Sequence, residues 1–416
     1  MTSTEHERLP RAFWRQFAAS TTSNLGDGLV AAAAPLLALT LTDDARLISA
    51  VSFAAMIPWL LLSLPVGVYI DRYDRKLIMT CANVVRGALF CLLSACIAFD
   101  VVTIWLLLAI VLLLAVGEVF FDMSAQAFLP AIVPQHLLER ANGRLYAAEI
   151  AANSFLGLPL GAWLFVVAAA APFGIQAAAL TLAASLIFSI RPITPFIPKT
   201  TTTNLRAEIR EGFGWLWRHP LLRILALMLG AANMCHMFAH SIFAKFVRDE
   251  LGLGARGFGL LLAVTSIGSI LGGMLGARIA KRLGAAVAIV MSYSMFAALE
   301  FLPFAFPTIW SVVTAGVLMA IFGTVWNVLT VSLRQRLIPS ELFGRVNSVY
   351  RFLGTGTSAI GALIGGQIAY HFGLRATYLV SGITLGTVLV FGAPLLLRHA
   401  RTYMAPDRTP APPSMT

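Results

Sequence analysis

Long apolar segments and short polar connections alternate along almost the whole chain. Twelve of the apolar segments approach or exceed the roughly 20 residues that an α-helix needs to cross a bilayer. They lie near residues 13–41, 46–70, 77–99, 101–128, 140–168, 172–190, 221–245, 257–280, 284–304, 307–333, 342–370 and 374–397. The pattern therefore predicts an all-α integral membrane protein with twelve transmembrane helices.

Composition excludes an ordinary soluble protein. Charged residues make up 12% of the chain and hydrophobic residues 58%, whereas a soluble domain carries about 25% charged residues. The four cysteines all fall within the apolar segments, so we expect packing residues and no disulfide framework.

Positive charge is distributed unevenly between the connections. Lysines and arginines concentrate on one side of the predicted helices, near residues 8–15, 72–76, 140–144, 191–218, 281–282, 334–345 and 398–408. The other side carries little beyond Arg46, Arg248, Arg256 and Arg375. By the positive-inside rule, this asymmetry places both termini in the cytoplasm. It also accounts for the net charge of +11 without a nucleic-acid partner.

The longest polar interruption divides the chain into two halves. Six predicted spans precede residues 191–219 and six follow them. The signature Pro-x-x-Leu-x-x-Arg-x-Asn at 134–142 recurs at 339–347, which indicates an internal duplication. Within the interruption, Leu205 to Trp217 alternates charged with apolar residues, as an amphipathic surface helix does. We expect an N-terminal six-helix half at 1–190, a cytoplasmic linker with an amphipathic helix at 191–219, a C-terminal six-helix half at 220–398 and a flexible cytoplasmic tail at 399–416.

Charge is concentrated in the short connection between the second and third spans. Residues 67–76 read Gly-Val-Tyr-Ile-Asp-Arg-Tyr-Asp-Arg-Lys. Gly67 permits two helices to approach closely, and Asp71 can accept hydrogen bonds from exposed backbone N–H groups. The basic side chains hold the connection on the cytoplasmic side; they are Arg72, Arg75 and Lys76.

This pattern resembles the loop between the second and third helices of major facilitator superfamily transporters. Within that superfamily, the chain is similar to the efflux branch that contains enterobactin and macrolide exporters. The similarity rests on Gly26-Asp27-Gly28 with Pro35, on Phe121-Asp122 with Pro130 and Pro134, and on the Pro-x-x-Leu-x-x-Arg-x-Asn signature. It implies two pseudo-symmetric six-helix halves that expose a central cavity alternately to the two sides of the membrane.

The fifth predicted helix departs from the family pattern. Antiporters of the superfamily usually carry G-P-x-x-G-G there, whereas residues 157–162 read Gly-Leu-Pro-Leu-Gly-Ala, with the proline one place late. The related stretch of the eleventh helix, residues 361–366, has alanine in place of proline. We therefore expect a different kink in the fifth helix.

Asp27 lies near the middle of the first predicted helix, between two glycines. An ionisable residue at this depth costs roughly 2.5–3.5 kcal/mol on insertion scales, so it requires a partner or a function. One interpretation is a protonatable carboxylate that couples proton entry to substrate exit. The other is a structural ion pair with Arg86 of the third helix, or a hydrogen bond from a nearby hydroxyl. The sequence leaves both open.

Glu118 and Asp122 stand four residues apart on the fourth predicted helix and therefore share one face. Two carboxylates this close do not both ionise readily at low dielectric unless a cation lies between them. The family resemblance implies that Asp71, Arg75 and Asp122 form a charge relay that locks the cytoplasmic side. Glu118, one turn deeper, is then a second candidate proton site or another partner of the same arginine network.

Further charges lie within the predicted spans. Arg86 is the deepest cation and either neutralises the carboxylate of the first helix or meets an anionic substrate. Glu149 and Arg351 are expected to form structural pairs, with a gating pair across the two halves as the alternative. Glu300 and Lys245 lie near the outer interface, where we expect their side chains to snorkel toward the headgroups.

The seventh predicted helix carries the polar residues Asn233, His236 and His240. The two histidines are one turn apart, so a soft metal site is one hypothesis. Polar lining of a substrate cavity is the favoured one, because no second cluster of ligands accompanies them. Trp326 and Asn327 of the tenth helix are predicted to face the same cavity, and Arg86 is a further candidate for substrate binding.

The sequence lacks a Walker loop and common hydrolase motifs, so it favours secondary transport over ATP-driven transport or catalysis. The resemblance implies a proton-coupled exporter of an amphiphilic small molecule, a siderophore or drug-like compound, in a bacterial inner membrane. We expect a monomer without cofactor or metal, whose partners are the substrate, protons and the lipid bilayer. Alternatives are a lysophospholipid or metabolite carrier of the same fold, and a non-transporting membrane sensor or assembly factor.

Overall fold

The computed structural model describes residues 8–70, 72–191 and 205–403, and within these ranges it contains helices and no strands. The α-helices are α1 (Arg11–Leu41), α2 (Ala45–Ile70), α3 (Arg75–Ala98), α4 (Ile104–Ile132), α5 (Leu138–Glu149), α6 (Leu158–Val167), α7 (Ala171–Phe188), α8 (Leu205–Arg218), α9 (Pro220–His240), α10 (Phe243–Asp249), α11 (Ala255–Leu283), α12 (Ala285–Ala305), α13 (Ile309–Leu337), α14 (Ser340–Phe372) and α15 (Ala376–Tyr403). A π-helical segment, Ile150–Gly157, joins α5 to α6.

Among the described residues, 12 helical segments are long and apolar enough to cross a membrane, which confirms the predicted number. The fifth span comprises α5, the π-helical segment and α6, and the seventh comprises α9 and α10. The chain is therefore a multi-pass all-α membrane protein with two groups of six spans. We call them the first half (α1 to α7) and the second half (α9 to α15); the four predicted unit boundaries stay a prediction.

The two ends of the described helical bundle lie on the same side, because the number of spans is even. We call this side the inner side and the opposite one the outer side. The positive-inside rule predicts that the inner side faces the cytoplasm.

Polar residues in the short connections start the helices. Asp74 is the N-cap of α3, and its carboxylate accepts a hydrogen bond from the Lys76 N–H at 2.8 Å. Thr103 caps α4 by accepting from the Leu106 N–H at 3.2 Å. These caps satisfy N–H groups that the first helical turn leaves without intrahelical partners. The connections thereby fix where the spans begin.

The fifth span is irregular at its centre, as its unusual sequence suggested. The π-helical segment Ile150–Gly157 ends directly before α6, and Pro159 occupies the first turn of that helix. Proline is tolerated there because the first turn needs no intrahelical N–H donor. A π-helical turn changes the direction of side chains relative to a regular helix, and such turns are frequent at functional sites.

The amphipathic helix predicted from the linker sequence is present as α8. Its Leu216 is fully buried, whereas Phe213 and Trp217 are exposed and stack with ring centroids 5.1 Å apart. A Cβ on Gly212 would overlap the backbone of Arg345 in α14, so glycine permits close contact there. The helix therefore packs against the second half on the inner side.

The two halves contact each other through α2 with α14 and through α6 with α11. Near the outer ends of α2 and α14, a Cβ on Gly366 would overlap the Ser49 hydroxyl. Near the outer ends of α6 and α11, a Cβ on Gly259 would overlap the Ala162 methyl group. Glycines thus bring helices of opposite halves into close contact toward the outer side.

Ion pairs reinforce this contact at the outer surface. Asp43, in the connection between α1 and α2, lies 2.6 Å from Arg248 and 3.9 Å from Lys245 of α10. Asp249 pairs with the same two cations at 2.6 and 2.7 Å. We call these four residues the outer clasp. The clasp therefore joins the two halves at the outer surface.

The first prediction concerns sidedness. A reporter that works only outside the cytoplasm should be active when fused after Asp43 or Asp249, and one that works only in the cytoplasm should be active after Arg191. The expectation follows from the arginine and lysine distribution. Activity of an external reporter at Arg191 would contradict the predicted orientation.

The second prediction concerns the outer clasp. Asp43→Asn removes the carboxylate that joins the two halves, so the outward-open population should rise. An exposed ion pair contributes at most about 1 kcal/mol, which corresponds to about a fivefold change in that population. The measurement is the distance between spin labels on Val101→Cys and Phe306→Cys, in a background without the native cysteines. Both positions are exposed in outer connections.

Asp44→Asn is the matched control for this experiment. The adjacent Asp44 pairs with Arg46 at 2.7 Å within the first half, and asparagine retains helix-capping ability. The control should therefore leave the distance distribution unchanged. An equal shift in both variants would show that general loss of surface charge, and not the clasp, controls the equilibrium.

Candidate functional site

An ion cluster lies at the centre of the first half. The Asp27 carboxylate accepts hydrogen bonds from Arg86 Nη2 at 2.9 Å and from Gln176 Nε2 at 2.6 Å, both to Oδ1. The Ser23 hydroxyl donates to its Oδ2 at 3.3 Å. The Arg86 side chain is only 2% exposed. The structure therefore contains the ion pair between Asp27 and Arg86 that was one of the two interpretations. Asp27 lies halfway along α1.

Glu118 of α4 is the second carboxylate of the cluster. Its Oε2 lies 3.9 Å from Arg86 Nη2, and its side chain is 41% exposed, compared with 23% for Asp27. Two carboxylates thus share one buried guanidinium, with Glu118 held more loosely. With both carboxylates ionised, the cluster carries one negative charge in excess, and uptake of one proton neutralises it. We call Asp27, Arg86 and Glu118 the ion cluster.

Glycines make room for this arrangement. A Cβ on Gly26 would overlap the Gln176 side chain, and one on Gly117 would lie 2.7 Å from Cγ of Arg86. Gly28 and Gly157 lie against each other's backbone where α1 crosses the π-helical segment. The absence of side chains therefore lets α1 approach its neighbours closely enough for short hydrogen bonds at low dielectric.

A polar cavity of about 460 Å³ borders the cluster on its inner side. Its described lining residues belong to the first half, between Gln16 and Asn153, and they include Asp27, Glu118 and Asp122. Glu149 of α5 lies in the same wall. The cavity thus connects both carboxylates of the cluster with polar positions near the inner ends of α1, α4 and α5. Such a lining accommodates water and protons better than apolar compounds.

A second cavity of about 450 Å³ lies in the second half and extends to Ser154 and Leu158 of the fifth span. Most of its wall is apolar, and its polar groups include Asn233, His236 and His240 of α9. We call it the apolar cavity. Ser154 of the π-helical segment lines the apolar cavity, whereas the residue before it, Asn153, lines the polar cavity. The segment therefore presents consecutive residues to different cavities.

The predicted substrate-binding residues are not all brought together. Asn233 and His236 line the apolar cavity, and the rings of His236 and His240 are 5.1 Å apart. Arg86 belongs to the ion cluster in the other half. Trp326 is 4% exposed and packs against Tyr293 with ring centroids 5.5 Å apart. The placement of the tenth-span residues therefore differs from the prediction.

Trp326 and Asn327 do not line the apolar cavity, in contrast to the prediction. Trp326 belongs to the buried hydrophobic core of the second half, and Asn327 is exposed. The reason is the rotation of α13 about its axis, which turns other residues, such as Met319 and Gly323, toward the cavity. Hydropathy does not encode that rotation, because the lipid-facing and core-facing sides of a span are both apolar.

Glu300 is also placed differently from the prediction. It is 3% exposed and lines the apolar cavity, so its side chain does not snorkel to the outer interface. Its helix, α12, packs against α13 and α15, and the Glu300 side faces the interior of the bundle. Lys245, in contrast, lies at the outer surface in the clasp. The side chain of Arg351 is outside the described part of the chain.

The structure describes the residues of the predicted inner gate with one exception, Asp71, which is outside the described ranges. Arg75 Nη1 donates to the Ala127 carbonyl of α4 at 2.8 Å. Lys76 lies over the Phe188 ring at 5.0 Å, and Arg72 is exposed in the turn. A Cβ on Gly67 would make ordinary contact with the Met123 side chain of α4, 3.5 Å away. The connection and the end of α2 thus pack against α4 at Met123, next to Asp122, and at Ala127, five residues after it.

Sequence reasoning missed Gln176 as a partner of Asp27, and it offered a nearby hydroxyl without naming Ser23. Gln176 interrupts the apolar run Ala171–Phe188 of α7 and is fully buried. A lone amide in a membrane span needs a hydrogen-bond partner, which is the signal that could have identified it. Ser23 stands one helical turn before Asp27, so its position could also have been derived from helical spacing.

Comparison with known proteins agrees with this architecture. The chain matches the transmembrane secretion effector family over residues 8–415. The multidrug efflux pump Tap of Mycolicibacterium fortuitum is 24% identical over 393 residues, covering 90% of this chain and 93% of that protein. Macrolide efflux protein A of Streptococcus pyogenes is 22% identical, covering 82% and 85%. The enterobactin exporter EntS of Escherichia coli O1:K1 / APEC is 25% identical, covering 80% and 78%.

Solved structures show the same fold at low sequence identity. A point mutant of the nucleoside transporter NupG has a TM-score of 0.75 at 11% identity, covering 92% of this chain and all (100%) of that one. A bacterial homologue of the iron transporter ferroportin, in an inward-facing state, has a TM-score of 0.69 at 16% identity, covering 93% and 100%. These comparisons confirm the resemblance inferred from the motifs and the major facilitator fold.

Proposed function

The chain belongs to the transmembrane secretion effector family, and from this premise we propose that it exports an amphiphilic small molecule, a siderophore or drug-like compound, in exchange for protons. An efflux transporter of the major facilitator class is what the family and the relatives support. The substrate class and the proton coupling are our proposal. So are a bacterial inner-membrane location with both termini in the cytoplasm, and a monomeric state.

One observation carries the proposal of proton coupling: two carboxylates share the buried Arg86 guanidinium beside a polar cavity. Asp27 is held by three side chains, whereas Glu118 has the longer contact and the more exposed side chain. Glu118 is therefore the group that exchanges its proton with the cavity more readily, and Asp27 holds Arg86 in place. A proton bound from the outer side neutralises the cluster and leaves through the polar cavity when the inner side is open.

The contacts between the halves on the outer side support alternating access. The clasp and the glycine contacts of α2 with α14 and of α6 with α11 hold the outer ends of the halves together. The apolar cavity lies between the fifth span and the second half, close to one of these contacts. Rocking of the halves about this region changes which side reaches the cavity. Substrate release to the outside then requires the clasp to open.

The largely apolar wall of the second cavity supports an amphiphilic substrate. Its volume of about 450 Å³ falls in the range of roughly 300–1,000 Å³ that is usual for small-molecule sites. The proposed inner gate, formed by Gly67, Asp71, Arg72, Arg75, Lys76 and Asp122, would close the opposite side once the outer side opens.

The third prediction tests proton coupling. Glu118→Gln keeps the shape of the side chain but removes its proton, so efflux driven by a pH gradient should fall to the background of empty vesicles. Downhill exchange of substrate should survive. Both would be measured in reconstituted vesicles with a compound identified by growth-inhibition screening. Asp27→Asn should have the same effect with some loss of stability, because breaking a buried ion pair costs about 3–5 kcal/mol.

Glu149→Gln is the matched control, because Glu149 lines the same cavity without contacting Arg86. It should retain gradient-driven efflux. If gradient-driven efflux persists in both Glu118→Gln and Asp27→Asn, the ion cluster is structural and coupling lies elsewhere. If the native chain itself transports none of the tested compounds, a membrane sensor or assembly factor becomes the better hypothesis.

The fourth prediction tests the inner gate. Asp71→Asn and Asp122→Asn should each reduce transport strongly, and the double variant should be no worse than either, because the two carboxylates act on one relay. Initial rates in the same vesicles measure this. Asp74→Asn is the control: it removes the same charge from the same connection, but asparagine still caps α3. Additive losses, or an equal loss in the control, would argue against a relay.

A further inference from the structure

Glu300 has no place in the proton-coupled mechanism described above. It lies on α12 in the second half, whereas the ion cluster and the polar cavity belong entirely to the first half. Glu300 is only 3% exposed and lines the apolar cavity. A carboxylate at this depth is a functional site by default unless a partner accounts for it.

The described structure offers no such partner. Among the described residues, no arginine or lysine forms an ion pair with Glu300, and none is among the cavity-lining residues. The Ser381 hydroxyl of α15 lies beside Glu300, but it is buried and makes no hydrogen bond among the described residues. His236 and His240 face the same cavity from α9, and neither forms an ion pair with it. A hydroxyl alone does not compensate the desolvation of a carboxylate.

The rest of the wall is suited to an apolar body that carries a positive charge. Phe243, Phe296 and Tyr378 place three aromatic rings around the cavity, and aromatic faces attract cations. Glu300 is the only carboxylate among the lining residues that the structure describes. A mostly apolar pocket with one convergent charged group binds a ligand of complementary charge in a defined orientation.

We propose that the apolar cavity is the binding site for a lipophilic cation, an alkylammonium or phosphonium group on an apolar body, with Glu300 as its counter-charge. This inference specifies the substrate class of the proposed exporter and rests on that function. Glu300 disfavours an anionic substrate at the site, because it repels negative charge and the described lining residues include no arginine or lysine. The cation neutralises Glu300 in the closed bundle, and opening of the outer clasp allows water to replace it.

The experiment uses tetraphenylphosphonium as the probe and tetraphenylborate, which has the same shape and opposite charge, as the matched anion. Binding of radiolabelled tetraphenylphosphonium is measured on the purified full-length chain in detergent. We expect Glu300→Gln to weaken binding by about tenfold or more, the loss typical of a charge-assisted contact. Glu300→Asp keeps the charge and should retain most of the affinity. Binding of radiolabelled tetraphenylborate is measured in a separate assay, because the two ions form an insoluble salt when mixed, and it should be weak or absent.

Glu149→Gln serves as the control for loss of a carboxylate from the other cavity, and it should bind the probe as the native chain does. Unchanged binding in Glu300→Gln would overturn the proposal. So would an equal loss in Glu149→Gln, which would place the cation in the polar cavity, or binding of tetraphenylborate as tight as that of tetraphenylphosphonium.

A second measurement covers the case in which Glu300→Gln does not fold. Dicyclohexylcarbodiimide modifies carboxyl groups in apolar surroundings, and mass spectrometry locates the modified residue. Tetraphenylphosphonium should protect Glu300 in the native chain, and modification at an unchanged rate would overturn the proposal. Failure here is distinguishable from failure of the proposed function. Gradient-driven efflux of another compound without tetraphenylphosphonium binding rejects only the cation site, whereas binding without any flux rejects only the export function.

Discussion

The ion pair between Asp27 and Arg86 is the interaction on which the first half depends. The Arg86 guanidinium is buried within the membrane-spanning bundle, so its charge must be compensated by groups inside the bundle. The guanidinium is almost fully buried and the carboxylate accepts from three side chains on α1, α3 and α7. One electrostatic requirement thus fixes the relative positions of three helices. Arg86 also lies 3.9 Å from Glu118. The residue that holds the helices together is therefore also in contact with the carboxylate that we propose exchanges protons.

Close packing of small residues makes this pair geometrically possible. Gly26 and Gly28 lie on either side of Asp27, and each faces a different neighbour, the Gln176 side chain and the backbone of the π-helical segment. Since lipid provides no hydrophobic force between helices, van der Waals contact and internal hydrogen bonds hold the bundle together. The same device recurs between the halves, where Gly259 and Gly366 permit close contact on the outer side.

The two cavities differ in chemistry because the two halves place different residues around them. The first half has a cluster of carboxylates around one arginine and a polar wall, which suits proton exchange. In the second half, Glu300 is the one carboxylate among the described residues of a largely aromatic and aliphatic wall. The fifth span borders both, since Asn153 and Ser154 face different cavities. A movement of that span would therefore affect proton release and substrate binding together.

The sequence alone determined the number and approximate ends of the spans, the helix α8 and the family, because span length, charge asymmetry and local motifs are properties of short stretches of chain. It also named both partners of the central ion pair, although it left their pairing open. Only the tertiary structure decided that Gln176 completes the cluster, that Glu300 faces a cavity and that Trp326 faces the core. The physical reason is that lipid and protein interior are both apolar. A membrane span therefore lacks the amphipathic period that marks the buried face of a soluble helix, and its rotation depends on contacts with helices distant in sequence.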